Sequence, residues 1–248
     1  MSSRCFLLIY SVLILGVAVG CAKVNGPQPG LYRATVTLQG GEVPMQLRID
    51  RQDSVTQLWV IERDAAAQAT DLHVDGNELQ AVLPHDLGQL KVRFDRNSLN
   101  GELRVTAGND EQAFPVHAKR DEQYRFFKDS LSDNADVSGT WRLELGASSQ
   151  PVALTQTYDS VDGHIKLQDT PCDIAGQMHN DDTYLAVFCR SAFWLLKGSV
   201  NGQGELEGDA WRNNDAPIRW RAKRTDEPVP DQDDPSRHVS LPWAVPTR

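Results

Sequence analysis

The chain has 248 residues and a formal net charge of −9. That sign argues against a nucleic-acid partner, since neutralising phosphates requires basic surface. Six tryptophans against three methionines, with frequent Val, Leu, Thr and Gly, favour sheet over helix.

Arg4 is the only charge before an almost wholly apolar run from Phe6 to Val19. The pattern matches the charged start and short apolar core of a secretory signal and is too short for a membrane span. Ala18-Val19-Gly20-Cys21 resembles the bacterial lipobox, in which small residues before a cysteine admit the lipoprotein signal peptidase. Leucine is the commoner residue where Ala18 stands, and an ordinary leader with Cys21 as a passenger is the alternative reading. The expectation is a signal peptide over 1–20, a lipidated Cys21 at the mature N-terminus and a tether over 21–29. Several acyl chains anchor durably, because each buried methylene contributes about 0.8 kcal/mol. Ala22, in place of the aspartate associated with inner-membrane retention, points to the outer membrane of a Gram-negative envelope, facing the periplasm.

The mature chain repeats itself. Gly30-Leu-Tyr-Arg matches Gly139-Thr-Trp-Arg, His73 to Leu83 matches Met178 to Phe188, Leu99-Asn-Gly-Glu matches Leu206-Glu-Gly-Asp, and Ala118-Lys-Arg matches Ala222-Lys-Arg. The offsets, 139 − 30 = 109, then 105, 107 and 104, are nearly constant and in the same order, as duplication of a domain-sized unit requires. Two domains are predicted, 30–121 and 139–224, joined by a linker over 122–138.

In the first unit, short alternating runs predict eight strands: LYRATVTL, VPMQLRID, TQLWVIE, DLHV, ELQAVL, QLKVRF, LNGELRV and FPVHAKR. Asp75-Gly76 and Asn201-Gly202 read as tight hairpin turns. Connections this short forbid helical crossovers, so the fold class is all-β, two tandem antiparallel meanders. Eight such strands can close into a barrel without edges; a coiled open sheet or a small sandwich is the alternative. Gly139-x-Trp141 at the start of a unit, with Arg221 or Arg224 at its end, resembles the lipocalin-type signature of an arginine across a tryptophan. Trp141 reads equally as a plain core aromatic, and the first unit departs from the pattern at Tyr32. The tail, 225–248, is acidic and proline-rich and is expected to be a disordered, inert remnant, with Leu241-Pro-Trp243 as a partner-docking element in the alternative reading.

Of four cysteines, Cys5 leaves with the leader and Cys21 is taken by lipid, leaving Cys172 and Cys189 in an oxidising compartment. Aligning the repeats centres a hairpin between Asn180 and Asp181, so paired residues sum to 361, as 172 and 189 do. Alternation makes this a non-hydrogen-bonded pair with Cα atoms about 4.5 Å apart, within disulfide range.

The sequence carries no recognisable catalytic or cofactor motif. The histidines, at 73, 85, 117, 164, 179 and 238, lack metal-ligand spacing, and no serine elbow or phosphate loop occurs. Glu62, Arg63 and Asp64 mix signs at a strand end, and Glu102, Glu205, Glu207 and Asp209 read as an exposed polar face. No cofactor and no metal is expected, and the chain is not read as an enzyme.

GLYRATVTLQGGEVPMQLRI, the link QYRFF followed by ADVSGTWRLEL, and GELEGDAWRNNDAPIRWRAKR together resemble the β-rich region preceding the thioredoxin domain of TlpA-like thiol-disulfide oxidoreductase lipoproteins. The resemblance runs to about Arg224. The Cys-x-x-Cys that performs that family's chemistry is missing, so only envelope location and an accessory role carry over. Two hypotheses follow: a membrane-anchored lipoprotein whose β-domains bind an envelope protein or a small apolar ligand, or a redox component exchanging the Cys172–Cys189 disulfide with a thioredoxin-like partner.

Overall fold

The computed structural model describes residues 26–53, 55–62, 65–107, 110–129, 133–167, 170–190 and 192–229. The predicted signal peptide, Cys21 and Leu241-Pro-Trp243 lie outside them. All regular structure in the described residues is strand.

The first unit contains β1 (Gly30–Leu38), β2 (Gly41–Gln52), β3 (Val55–Glu62), β4 (Ala65–Gln68), β5 (Thr70–Asp75), β6 (Glu78–Leu83), β7 (Gly88–Phe94), β8 (Ser98–Ala107) and β9 (Asp110–Arg120). They form one antiparallel sheet in the order β4-β3-β2-β1-β9-β8-β7-β6-β5. Its two edges are consecutive in the chain, and the Ala69 N–H between them donates to the Leu58 carbonyl at 2.9 Å, so the sheet curls into a nearly closed barrel. The second unit contains β10 (Gly139–Leu145), β11 (Ser148–Thr157), β12 (Ser160–Leu167), β13 (Thr170–His179), β14 (Asp182–Cys189), β15 (Ala192–Val200), β16 (Leu206–Arg212) and β17 (Ile218–Arg224), a closed barrel in chain order.

Alternation explains the cores. Along β9, Phe114, Val116 and Ala118 are buried while Pro115, His117 and Lys119 are exposed, the period-two signature of a wall with one wet face. Closure brings β1 to β9 with Tyr32 opposite Arg120, and β10 to β17 with Trp141 opposite Arg224. The duplicated Leu-x-Gly motif has a shared reason. A Cβ on Gly101 would overlap the Lys91 carbonyl, and one on Gly208 the Lys197 carbonyl, so both units need glycine where a neighbouring strand crosses closely.

Three local expectations differ from the structure. The eight predicted strands of the first unit are present, but β4 is an additional one; Ala65-Ala66-Ala67-Gln68 has neither alternation nor β-formers to announce it. The hairpin predicted at Asp75-Gly76 turns on Gly76 and Asn77, because Asp75 still pairs with Glu78, and positive φ (57°) falls on Gly76. Asn201-Gly202 opens a five-residue loop. There the Asn201 carboxamide oxygen accepts from the Gln203 and Glu205 amides at 2.9 and 3.0 Å, and the left-handed residue is Gly204.

The ends of the units are more ordered than composition implied. Of the expected tether, Gly26 and Pro27 are buried. Arg51 donates to the Pro27 carbonyl at 3.0 Å. Of the tail, the Thr225 amide donates to the Thr140 carbonyl at 3.0 Å and Glu227 pairs with Arg142.

Candidate functional site: barrel closures, the disulfide and the inter-barrel clasp

At the base of the second barrel the buried Trp141 indole donates to the Val137 carbonyl at 2.8 Å. The Arg224 guanidinium lies 4.4 Å from the Trp141 ring centroid and donates to the Ser138 and Asp136 carbonyls at 2.7 and 2.8 Å. Arg224 thus ties the last strand to the chain entering the first, while Arg221 faces out to Glu207 at 3.3 Å. Gly139 has φ 126°, and a Cβ there would meet the Arg224 guanidinium. The Ser138 amide donates to the Asp136 carboxylate at 2.8 Å, which holds that carboxyl below its ordinary range.

The first unit builds the same lock from other residues. Tyr32 is fully buried and its hydroxyl donates to the Gln28 carbonyl at 2.7 Å, four residues back, as Trp141 does to Val137. Arg120 reaches the Pro29 carbonyl at 3.5 Å. Burial pushes the Tyr32 phenol up, and the Arg120 charge opposes this in part.

Cys172 and Cys189 are disulfide-bonded across β13 and β14, with Cα atoms 4.6 Å apart. The ladder pairs Asp173 with Phe188 and His179 with Asp182, the predicted register. Both cysteines point into the barrel, 1% and 8% exposed, beside Ile165 and Ile174. His164 Nδ1 lies 2.6 Å from Asp173 on the outer face.

The expected polar face is a set of ion pairs. Glu102 meets Arg104 at 2.7 Å, Glu205 meets Lys223 at 3.1 Å, and Asp209 meets Arg219 at 3.3 Å. A shallow depression of about 500 Å³ over Gly101 is rimmed by Lys91, Arg93, Asn100 and Glu102, a mixture without convergent charge. Among the described residues no cluster of three His, Cys, Asp or Glu could hold a metal ion.

What sequence reasoning missed is the linker. Arg33 on β1 donates to the Tyr124 and Arg125 carbonyls at 2.9 Å. The Arg125 guanidinium then enters the second barrel's outer wall, bonding the Val161 and Gly176 carbonyls at 2.9 and 3.0 Å and the Asp162 carboxylate at 2.7 Å. Gln177 is 5% exposed; its carboxamide oxygen accepts from the Phe126 and Phe127 amides at 2.7 and 2.8 Å, and its nitrogen donates to Asp159. Phe127 packs on His179 and Tyr184, and Phe126 on Tyr184. The available signal was the aromatic density of Tyr124-Arg-Phe-Phe, unusual for a solvated linker.

The barrels also share a core. Ala186, Phe193 and Leu195, on the outer face of β14 and β15, are fully buried within the first barrel's hydrophobic cluster. Phe193 meets Phe114 edge-on at 6.3 Å. Its amide donates to the buried Asn213 side chain at 2.9 Å, and the Asn213 amide returns a bond to the Phe193 carbonyl. The interior of the first barrel is therefore continuous with the outer wall of the second. No protein-family model, no curated protein and no solved structure matches this chain.

Proposed function

We propose that this chain is a lipoprotein of the Gram-negative envelope, anchored through Cys21 to the outer membrane and facing the periplasm. Its two barrels act there as a non-catalytic binding or accessory module. The observation that carries the reading is the direct contact of the barrels: Arg125, Gln177 and Phe193 join them, as presenting a composite surface to a partner requires. The Cys172–Cys189 bond supports an oxidising compartment. Tyr32, Leu47, Leu103 and Phe114 are fully buried in the first barrel's core and Phe114 abuts Phe193, which favours an envelope protein over a small apolar ligand as its partner. The resemblance to the accessory region of TlpA-like lipoproteins agrees with that role. The alternative, disulfide exchange with a thioredoxin-like partner in each working cycle, is weaker, because catalytic thiols sit in exposed electropositive surroundings and these sulfurs face a barrel interior.

The test is Cys21→Ala. The wild-type protein should fractionate with outer membranes and show an acylated N-terminal cysteine by intact mass, and the variant should be released or remain uncleaved. An unmodified wild-type N-terminus at another residue would overturn the anchored reading.

A further inference from the structure

The two barrels differ at one seam, and the disulfide lies on it. Trp59 pairs with Gln68 as His164 pairs with Asp173, 164 − 59 = 105 residues apart, so Ala67 in β4 stands where Cys172 does. Beyond the hairpin, Asp75 pairs with Glu78 as His179 pairs with Asp182, 179 − 75 = 104 residues apart, so His85 stands where Cys189 does. The one-residue change in offset is the extra residue of the bulge between Thr70 and His73, where Asp71 has φ 49°. Below that bulge the first barrel comes apart. β4 keeps its ladder to β3 but has none to β6, which ends at Leu83, and His85 lies in a left-handed loop. In the second barrel β13 is unbroken and pairs with both β12 and β14, and the cysteine pair immediately follows the last ladder pair, Asp173↔Phe188.

We propose that the Cys172–Cys189 bond holds the β13–β14 seam of the second barrel together, and that its reduction by a dithiol converts that barrel to the split-strand form of the first. Cys189, the less buried of the two residues (8% exposed against 1%) and the last of β14, takes the attack of a donor thiolate at its Sγ. The S–S bond breaks, Cys172 leaves as a thiolate and takes up a proton. The donor's second thiol then displaces Cys189, leaving two protein thiols and a donor disulfide, with two electrons transferred. Released from β14, the segment from Thr170 to Asp173 keeps its pairing with β12, as β4 keeps β3. The gap opens onto Ile165, Ile174 and Val187.

The test is amide hydrogen exchange read by mass spectrometry on the mature chain: oxidised, reduced with dithiothreitol, reoxidised, and as Cys172→Ala/Cys189→Ala. In the reduced protein, amides in 171–174 and 187–189 that bond across this pair should exchange at least about tenfold faster. The β10–β17 closure should be unchanged, and reoxidation should restore protection. Unchanged protection after complete reduction would overturn the proposal. So would loss of protection around the whole barrel, which would make the bond a global requirement and not a seam. The double variant should match the reduced wild type; protection equal to the oxidised protein would overturn it too.

Discussion

Tyr32 and Trp141 do one job with different chemistry. Each is buried at the start of its barrel, each donates to the carbonyl four residues back, and each faces the arginine that ends the last strand. Tyrosine, unlike tryptophan, can ionise. Burial raises its pKa, so the folded state holds the proton more tightly than the unfolded chain does. The sign follows: this stabilisation is complete below the unfolded tyrosine value of about 10 and is lost as pH rises through the higher folded value. Tyr32→Phe removes one hydrogen bond, costing about 1 kcal/mol at neutral pH, and removes this titration. Denaturation midpoints of wild type and variant should converge as pH rises above about 10. Parallel profiles would show that Tyr32 makes no contribution to the alkaline loss.

At the scale of elements, the segment from Tyr124 to Phe127 is irregular backbone that nonetheless binds both units. It succeeds because Gln177 and Arg125 satisfy main-chain groups that packing would otherwise leave unpaired. Gln177→Leu keeps the volume but strands the Phe126 and Phe127 amides, at a cost of about 2 kcal/mol. Tryptic cleavage after Lys128 should accelerate in this variant, with the barrel strands still protected. A cleavage rate equal to wild type would mean that the aromatic contacts of Phe127 suffice. Glu122, held below its ordinary range by Lys119 and Tyr124 against the opposing effect of burial, belongs to the same segment; its contribution is lost only as pH falls through that lowered value.

For the molecule as a whole, the shared core should couple the unfolding of the two barrels. Phe193 sits between them, so Phe193→Ala should cost about 3–4 kcal/mol through the cavity it leaves. Its effect on cooperativity is the more telling readout. Calorimetry of the wild type should give one transition and the variant two, one per barrel. A single transition of unchanged width in the variant would refute the coupling.

Period-two alternation, repeat phrases and an odd-even register argument need no knowledge of packing, and so the fold class and the Cys172–Cys189 pairing were legible from residues alone. Each rests on backbone geometry that neighbouring residues impose on one another. The splitting of β4 from β5, the clasp of Arg125 and the burial of Phe193 were not. An alanine run, an arginine in a linker and an outward-facing phenylalanine have no local preference for what they became. Their roles depend on which surface arrives opposite them, and only the packing of two finished barrels decides that.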